Sequence, residues 1–290
     1  MPIPLAELNA MAERDVVAAL GAVFEPAPWV AAAAATGRPF ATVAALFAAL
    51  RGAVEGAPDE DRRALLAAHR EPAAPRSAIA PDAVAEPRGG LGRMSGPEAA
   101  QFAELSAAYR EKFGRPFILC VERHGRASLL SSLAARLASD PETERRAAEA
   151  EVFRSAALRL SAIVDGAGAL PTAGRVSTHV LDTVRGGPAA GVALELVEIV
   201  SAAETVLVAQ MRTNADGRTD VPLIGGRPVP IAAYELRFAL GDYHRRLGLG
   251  LPEPPFLDIV PLRFGVSEPE GHYHVPLVAT PWSFQTYRGS

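Results

Sequence analysis

The chain has 290 residues, of which 49% are hydrophobic and 21% are charged, and its formal net charge is −4. This length accommodates two ordinary domains, and the composition excludes a largely disordered chain. There is no apolar run of the roughly 20 residues that a membrane span needs, and no basic stripe typical of nucleic-acid binding. The first residues show neither a basic leader nor a hydrophobic signal core, and Cys120 is the one cysteine. We therefore expect a cytoplasmic protein, without membrane or nucleic-acid partners, that binds small molecules.

The first part of the chain, residues 1–164, has the periodicity of consecutive helices. Apolar residues at helical spacing predict one helix over residues 43–54. The acidic cluster at residues 59–61 predicts the beginning of another, from about Pro58 to His69, because carboxylates favour the positive end of a helix dipole. The last turn of this second helix contains His69.

Capping signals predict two further helices in this part of the chain. Ser95 and Glu98 have the spacing of a capping box, and Gly114 is placed to end the helix that follows. The sequence Asp140-Pro141-Glu142 predicts the start of a long helix that runs to about Val164, because proline is favoured in the first turn.

Two segments lack periodicity altogether. Residues 70–92 are rich in Pro, Ala, Gly and Arg, and we interpret them as an irregular excursion inside the helical domain, where a long loop favours a functional role. Residues 165–174 are rich in Gly and Ala and predict a linker. The predicted organisation is therefore a domain over 1–164, a linker over 165–174 and a domain over 175–290.

Beyond the linker the hydrophobic period changes from 3.6 to 2. Alternating apolar residues predict strands around residues 192–196, 206–208 and 234–240, separated by Gly and Pro turns. A short helix is predicted near residues 242–247. The pattern favours an antiparallel β-sandwich. The fold class is therefore multidomain, with an all-α N-terminal domain and an all-β C-terminal sandwich.

The end of the sequence concentrates candidate site residues. Alternation from His272 onwards places His272 and His274 on one face of a strand. With His179 they have the residue types of a three-histidine zinc site, although histidines that simply form hydrogen bonds at a sheet surface fit the pattern too. Arg218 follows a tight Asp-Gly turn, where taken alone it reads as a solvated hairpin residue.

Residues 175–290 closely resemble the transthyretin-like family of 5-hydroxyisourate hydrolases. The motifs that carry the resemblance are Arg175 to Asp182, the turn at residues 213–218, the histidine before Val275-Pro276-Leu277, and the ending Tyr-Arg-Gly-Ser. The resemblance implies a site without metal or cofactor. Its implied catalytic residues are His179, Arg218, His274 and Ser290, and its implied substrate-binding residues are Tyr287, Arg288 and Gly289.

These residue types suit the opening of a lactam ring by water. A neutral imidazole accepts a proton from water, and a guanidinium stabilises the charge that develops on the attacked oxygen. The resemblance also implies a homo-tetramer assembled through the β-domain, with the free terminal Ser290 in the pocket. His272 lies outside the matched motif, and we interpret it as a structural or supporting residue.

Residues 5–164 carry a second resemblance, to the decarboxylases of 2-oxo-4-hydroxy-4-carboxy-5-ureidoimidazoline (OHCU). The short motifs that carry it occur in a distinctive order: residues 24–29, His69, Glu86, residues 112–117 and residues 151–160. The resemblance implies that His69 and Glu86 are catalytic and that Arg159 binds substrate. Because OHCU is the product of the hydrolase reaction, the two resemblances together imply a bifunctional enzyme that converts 5-hydroxyisourate to (S)-allantoin.

Three alternatives stay open at this point. His69 and Glu86 are followed by residues that depart from the decarboxylase pattern, Arg70-Glu71-Pro72 and Pro87. A degenerate helical scaffold beside an active hydrolase is therefore the first alternative. A zinc-dependent hydrolase would use His179, His272 and His274. A ligand carrier without chemistry is the third, because transthyretin uses the same sandwich for binding alone.

Overall fold

A computed structural model describes residues 1–25, 27–72 and 94–289, which form two compact units. One unit contains Met1–Val121 and Leu129–Thr172, and the other contains Glu122–Ser128 and Ala173–Ser290. The short segment Glu122–Ser128 thus groups with the second unit although its neighbours in the sequence belong to the first. Among the described residues, no helix is long and apolar enough to cross a membrane.

The first unit is helical, as its periodicity predicts. Two short strands, β1 Ile3–Pro4 and β2 Val164–Asp165, pair in parallel. The helices of the chain's N-terminal part are α1 Leu5–Ala10, α2 Glu13–Leu20, α3 Pro28–Ala35, α4 Val43–Glu55, α5 Asp59–Ala67, α6 Gly96–Phe113, α7 Arg126–Leu137 and α8 Pro141–Ile163. The helix predicted to reach His69 ends earlier, at Ala67, so this histidine lies just beyond α5.

The predicted helix boundaries at α6 and α8 are confirmed by their caps. The Ser95 backbone N–H donates to the Glu98 carboxylate at 2.7 Å and completes the capping box of α6. Gly114 ends this helix in the left-handed conformation, with φ of 66°. The Asp140 carboxylate accepts hydrogen bonds from the first turn of α8. These local signals act within a few residues, which is why the sequence alone reveals them.

The main core of the helical unit determines where its candidate site residues lie. Leu65 and Leu66 of α5 belong to the same buried cluster as Leu160 of α8. Phe24, just after α2, packs edge-on against Phe153 of α8, with ring centroids 6.1 Å apart. The segment after α2, the end of α5 and the end of α8 therefore pack into one cluster.

Part of the segment predicted as a linker is attached to the helical unit. The Ala167 carbonyl accepts a hydrogen bond from the Val43 N–H at 2.9 Å, and the Gly168 carbonyl accepts one from the Ala44 N–H at 3.0 Å. These carbonyls bind the N–H groups that the first turn of α4 leaves without helical partners. The excursion predicted over residues 70–92 falls almost entirely on residues 73–93, outside the described part of the chain.

The second unit is a two-layered β-sandwich with one short helix, α9 Leu240–Arg246, which directly follows the strand Ala232–Ala239. Its strands are β3 Gly174–Ser177, β4 Val180–Asp182, β5 Gly187–Pro188, β6 Ala193–Ile199, β7 Thr205–Arg212, β8 Ile224–Arg227, β9 Ala232–Ala239, β10 Ile259–Val266, β11 His272–His274, β12 Leu277–Ala279 and β13 Phe284–Thr286. One layer is antiparallel, in the order β10, β9, β6, β7. The other combines the orders β11, β3, β8 and β13, β12, β4, β5. Residues from both layers, among them Leu236 and Leu277, form one buried cluster, which confirms the predicted sandwich.

The sandwich is not entirely antiparallel, and this corrects the expectation. β3 and β4 run parallel to β11 and β12, with Ser177 opposite His274 and Val180 opposite Leu277. Between the paired segments, the Leu277 N–H donates to the His179 carbonyl at 2.8 Å and keeps the strands in register. Alternation along a strand reports which face is buried but not the direction of the neighbouring strand, so the sequence pattern did not reveal this pairing.

Candidate active sites

The first candidate site forms where β4 begins. His179 and Arg218 are joined by an isolated antiparallel bridge. Asn214 organises the turn before Arg218, since its side-chain oxygen accepts a hydrogen bond from the Arg218 N–H at 3.1 Å. Gly217, with φ of 69°, lets the turn approach the strand closely, and its carbonyl accepts from the Val180 N–H at 2.8 Å. The turn therefore positions the guanidinium-bearing residue beside the imidazole.

Two further histidines meet on β11, as their alternation predicts. Tyr273 and Val275 face the core and are buried, whereas the His272 and His274 side chains lie on the other face. The Ser177 hydroxyl lies between them, 3.0 Å from His272 Nε2 and 3.0 Å from His274 Nδ1. A hydrogen-bonded chain of three side chains thus connects the two rings.

The electrostatic environment favours the neutral form of His179. Burial lowers its pKa, and the positive charge of Arg218 lowers it further, against an opposing contribution from the Asp216 backbone and carboxylate. Its Nε2 atom is buried and has no hydrogen-bond partner among the described residues. An imidazole in this state has a lone pair or a proton available for a bound molecule.

The electrostatic environment also favours the neutral form of His274. Burial again lowers its pKa first, and the nearby positive charge of Arg218 adds to this effect. His272, His179 and Arg175 contribute in the same direction. At neutral pH the ring is therefore a neutral base near the guanidinium groups of Arg218 and Arg175, which is the combination needed to deprotonate water and to stabilise an oxyanion.

The C-terminal residues lie directly against His274. The Gly289 N–H donates to the His274 carbonyl at 2.9 Å. A Cβ atom at Gly289 would lie 2.5 Å from the His274 ring, so glycine is required for this approach. Arg288 packs its guanidinium over the Tyr273 ring at 5.0 Å, and Tyr287 is 62% exposed. Of the terminal residues singled out in the sequence, Gly289 thus contacts the candidate site directly.

The second candidate site lies in the helical unit. The Leu65 carbonyl is 3.0 Å from His69 Nδ1, and because a carbonyl only accepts, Nδ1 carries the proton and Nε2 the lone pair. His69 Nε2 is buried and has no hydrogen-bond partner in the described part of the chain. Arg159 donates to the Val23 carbonyl at 3.3 Å. Burial lowers the pKa of His69, as does Arg159, while Leu65 and Glu25 oppose the shift.

Two of the residues implied to be catalytic, Glu86 and Ser290, lie outside the described residues. The structure does bring together the others: His179 with Arg218 and His274, and His69 with Arg159. Across residues 1–25, 27–72 and 94–289, no group of three or more His, Cys, Asp or Glu side chains is arranged to hold a metal ion.

Sequence reasoning missed Ser177 and gave no role to Glu25. Part of the signal for Ser177 was available, because Arg175, Ser177 and His179 occupy every second position and so project from one face of an extended segment. The partner strand, however, brings His272 and His274 to this serine by a parallel pairing that the sequence does not reveal.

The sequence also places His124 and His244 in polar stretches, a pattern that predicts solvated side chains. The structure corrects this prediction, because both are buried. His244 is 1% exposed because one face of α9 packs on the sandwich, where the neighbouring Tyr243 hydroxyl donates to Asp182 at 3.0 Å. His124 is 7% exposed and forms a parallel bridge with Ile231. Both lie in polar stretches of the sequence, so the local hydrophobicity did not predict that tertiary packing would bury them.

Comparisons with known proteins agree with the division of the chain into a helical unit and a β-sandwich. A family model described as OHCU decarboxylase matches residues 9–161, and one described as HIUase/Transthyretin family matches residues 176–289. A 5-hydroxyisourate hydrolase of Ralstonia nicotianae is 50% identical over 117 residues, which cover 40% of this chain and 99% of the relative. The uric acid degradation bifunctional protein PucL of Bacillus subtilis is 33% identical over 159 residues, covering 54% of this chain and 32% of that protein.

One solved structure aligns along the whole length. The crystal structure of an (S)-allantoin synthase covers 100% of both chains, with a TM-score of 0.54 and 32% sequence identity. The helical unit contains His69 and Arg159, and the β-sandwich contains His179 and Arg218. Together with the two family matches, this identifies the chain as a fusion of two enzyme domains. The chain belongs to the OHCU decarboxylase family over residues 9–161 and to the HIUase/transthyretin family over residues 176–289.

Proposed function

We propose that this chain is a bifunctional enzyme of the ureide pathway, in which the sandwich hydrolyses 5-hydroxyisourate to OHCU and the helical unit decarboxylates OHCU to (S)-allantoin. The observation that carries the proposal is the same arrangement in both units. His179 and His69 each have a lowered pKa, a nearby arginine and a buried Nε2 atom without a hydrogen-bond partner among the described residues. Both imidazoles are thus neutral at pH 7 and available for proton transfer.

In the hydrolase reaction, water attacks the lactam carbonyl of 5-hydroxyisourate and the ring carbon–nitrogen bond breaks. A neutral imidazole, His179 or His274, takes a proton from the attacking water and returns it to the leaving nitrogen. Arg218 stabilises the negative charge on the carbonyl oxygen in the transition state. Gly289 and the residues next to it orient the substrate, and Ser290 positions the water or substrate.

In the decarboxylase reaction, the carbon–carbon bond to the carboxylate breaks and carbon dioxide leaves. The electron pair is delocalised into the imidazolone system of the substrate itself, so the step needs no cofactor. His69 Nε2, which carries the lone pair, takes the proton of the substrate hydroxyl as that group becomes a carbonyl. It delivers this proton to one face of the carbanion, which makes the product a single enantiomer. Glu86 orients His69 or the substrate hydroxyl, and Arg159 holds the anionic substrate by charge-assisted hydrogen bonds.

The assembly and location of the protein are part of this proposal. Large apolar side chains near the C-terminus are exposed, with Trp282 at 56%, Phe284 at 40% and Tyr287 at 62%. Exposed apolar groups this close together favour contact with another chain. We infer a homo-tetramer, formed through the β-domain, in the cytoplasm, where the buried Cys120 stays reduced.

The two assignments are tested by a matched pair of variants, His69→Ala and His179→Ala, in the full-length chain. His179→Ala should slow consumption of 5-hydroxyisourate by about 100-fold or more, which is the usual contribution of a general base. His69→Ala should leave this consumption intact and abolish the formation of optically active allantoin. Unchanged optical activity with His69→Ala would contradict the decarboxylase assignment and leave the hydrolase assignment standing.

A further inference from the structure

The side chain of Ser177 connects two imidazoles that no other described hydrogen bond joins. It is 7% exposed, and its Oγ atom lies 3.0 Å from both His272 Nε2 and His274 Nδ1. The ring centroids of the two histidines are 6.2 Å apart, too far for a direct hydrogen bond between them. The parallel pairing of β3 with β11, which sets Ser177 opposite His274, holds this geometry.

The chemistry of the three groups limits how their hydrogen bonds run. A serine hydroxyl has one proton to donate, so it can donate to one of the two nitrogens and must accept from the other. When His274 is protonated, both of its ring nitrogens carry protons. Its Nδ1–H then has to donate to Ser177, and the Ser177 hydroxyl has to donate to His272 Nε2. Protonation of His274 therefore fixes the direction of both hydrogen bonds, from His274 to Ser177 and from Ser177 to His272.

The hydrogen bond to Ser177 occupies the Nδ1 edge of the His274 ring, so the Nε2 edge remains available to the candidate site. The backbone of Gly289 faces that edge, since a Cβ atom there would lie 2.5 Å from His274 Cδ2, the carbon bonded to Nε2. Nδ1 is therefore occupied by Ser177, and Nε2 is the nitrogen on the side of the C-terminal residues. The His272 side chain, at the other end of these hydrogen bonds, is exposed.

We propose that Ser177 and His272 are positioning residues for the hydrolase reaction, which orient His274 and stabilise its protonated form while it holds the proton taken from water. This inference rests on the proposed hydrolase function. Stabilisation in the protonated state is selective because the chain is cooperatively polarised only when the His274 ring is charged. Positive charge on Arg218, His272, His179 or Arg175 disfavours a charged His274 ring, so an uncharged acceptor for its Nδ1–H, the Ser177 hydroxyl, offsets this effect.

The test uses the full chain with Ser177→Ala, His272→Ala, the double variant, and Ser177→Thr as the control that keeps a hydroxyl. We expect Ser177→Ala to lower kcat for 5-hydroxyisourate about tenfold with little change in KM, because the interaction is made with the protonated base. The acid limb of the pH profile should move to lower pH, since loss of an acceptor for Nδ1–H lowers the pKa of His274. Ser177→Thr should stay near wild type.

The double variant provides the sharper criterion. Because His272 acts through Ser177, the double variant should be no slower than Ser177→Ala alone, whereas two independent roles would multiply. Multiplying effects, or an unshifted pH profile in folded Ser177→Ala, would overturn the proposal. If Ser177→Ala fails to fold, exposed His272→Ala decides the matter: it should lower kcat with little change in KM, and an unchanged kcat would overturn the proposal.

A readout that does not depend on activity separates this proposal from the function on which it rests. The titration of the His274 ring protons by NMR should move to lower pH in Ser177→Ala and stay near that of the wild type in Ser177→Thr. A wild-type chain that does not accelerate 5-hydroxyisourate hydrolysis would overturn the proposed function. An unshifted His274 titration in an active wild-type background would overturn only the positioning role.

Discussion

At the scale of single residues, the chain contains histidines whose neutral form is enforced by burial. His69, His179 and His274 lie in the candidate sites, where nearby arginines add to the effect of burial on the pKa. His244 is buried too, but its pKa is lowered by burial alone and the Asp182 carboxylate opposes the shift. It is therefore the residue at which burial of an imidazole is tested without disturbing catalysis.

The His244 ring should make the β-unit sensitive to mild acid. Neither of its ring nitrogens has a hydrogen-bond partner among the described residues, and it is 1% exposed. Above pH 6.5, the ordinary value for histidine, both folded and unfolded chains keep it neutral. Below pH 6.5 the unfolded chain binds a proton at His244, whereas burial disfavours this protonation in the folded chain. The free energy of unfolding therefore decreases as the pH is lowered, until the pH reaches the lowered pKa of the folded state.

We expect His244→Phe to weaken this dependence. The free energy of unfolding, measured by urea denaturation from neutral pH to about pH 5, should decline less steeply than in the wild type. Val184→Ala, at an exposed position of the same unit, serves as the control and should keep the wild-type slope. Equal slopes for His244→Phe and wild type would show that the buried ring does not resist protonation.

At the scale of elements, the turn that ends at Arg218 is the part of the hydrolase site with the strictest backbone requirement. Gly217 has φ of 69°, and a Cβ atom there would collide with the Val180 carbonyl oxygen of β4. Gly186 has the same φ of 69° but open space around it. The two glycines therefore share the conformational requirement and differ only in the close approach to a strand.

Alanine substitutions at these glycines should separate the two effects. Gly186→Ala should cost about 1 kcal/mol from the left-handed conformation alone. Gly217→Ala should cost more than about 3 kcal/mol, because the turn must also move away from β4, and Arg218 moves with it. Urea denaturation and the rate of 5-hydroxyisourate hydrolysis measure the two consequences. Similar losses of stability at both positions would mean that the turn does not depend on docking against the strand.

The sequence predicted elements best where the signal is local. The capping box at Ser95, the stop at Gly114 and the start at Asp140 were each predicted from a few adjacent residues, and each is present. The burial of His124 and His244 was not predictable, because it depends on which parts of the chain cover them. The role of Ser177 was not predictable either, because its partners His272 and His274 lie on a parallel strand that is distant in the sequence.

At the scale of the whole molecule, each catalytic module is matched by its own family, and the residues implied for each reaction stay on their own side of residue 172. The relative from Ralstonia nicotianae is covered over 99% of its length by the C-terminal part of this chain. The domain boundary drawn from the change of periodicity, with a linker at residues 165–174, remains a prediction. The grouping of Glu122–Ser128 with the β-unit was not predictable, because it depends on tertiary contacts alone.

We expect the isolated segment Ala173–Ser290 to fold and to hydrolyse 5-hydroxyisourate at close to the full-length rate. All described residues of the hydrolase site lie within it, and the sandwich core is formed by its own strands. Thermal unfolding followed by circular dichroism and the initial rate of hydrolysis provide the measurements. Absence of a cooperative transition would place the boundary elsewhere or make Glu122–Ser128 essential to the fold.

The central claim is that one chain performs two consecutive reactions and releases one enantiomer. It is tested most directly by adding the full-length protein to freshly prepared 5-hydroxyisourate and following ultraviolet absorbance and circular dichroism together. The account predicts rapid loss of the substrate absorbance, then growth of a circular dichroism signal from (S)-allantoin, both faster than without protein. Loss of absorbance with no circular dichroism signal, or neither change above the unaided rate, would contradict it.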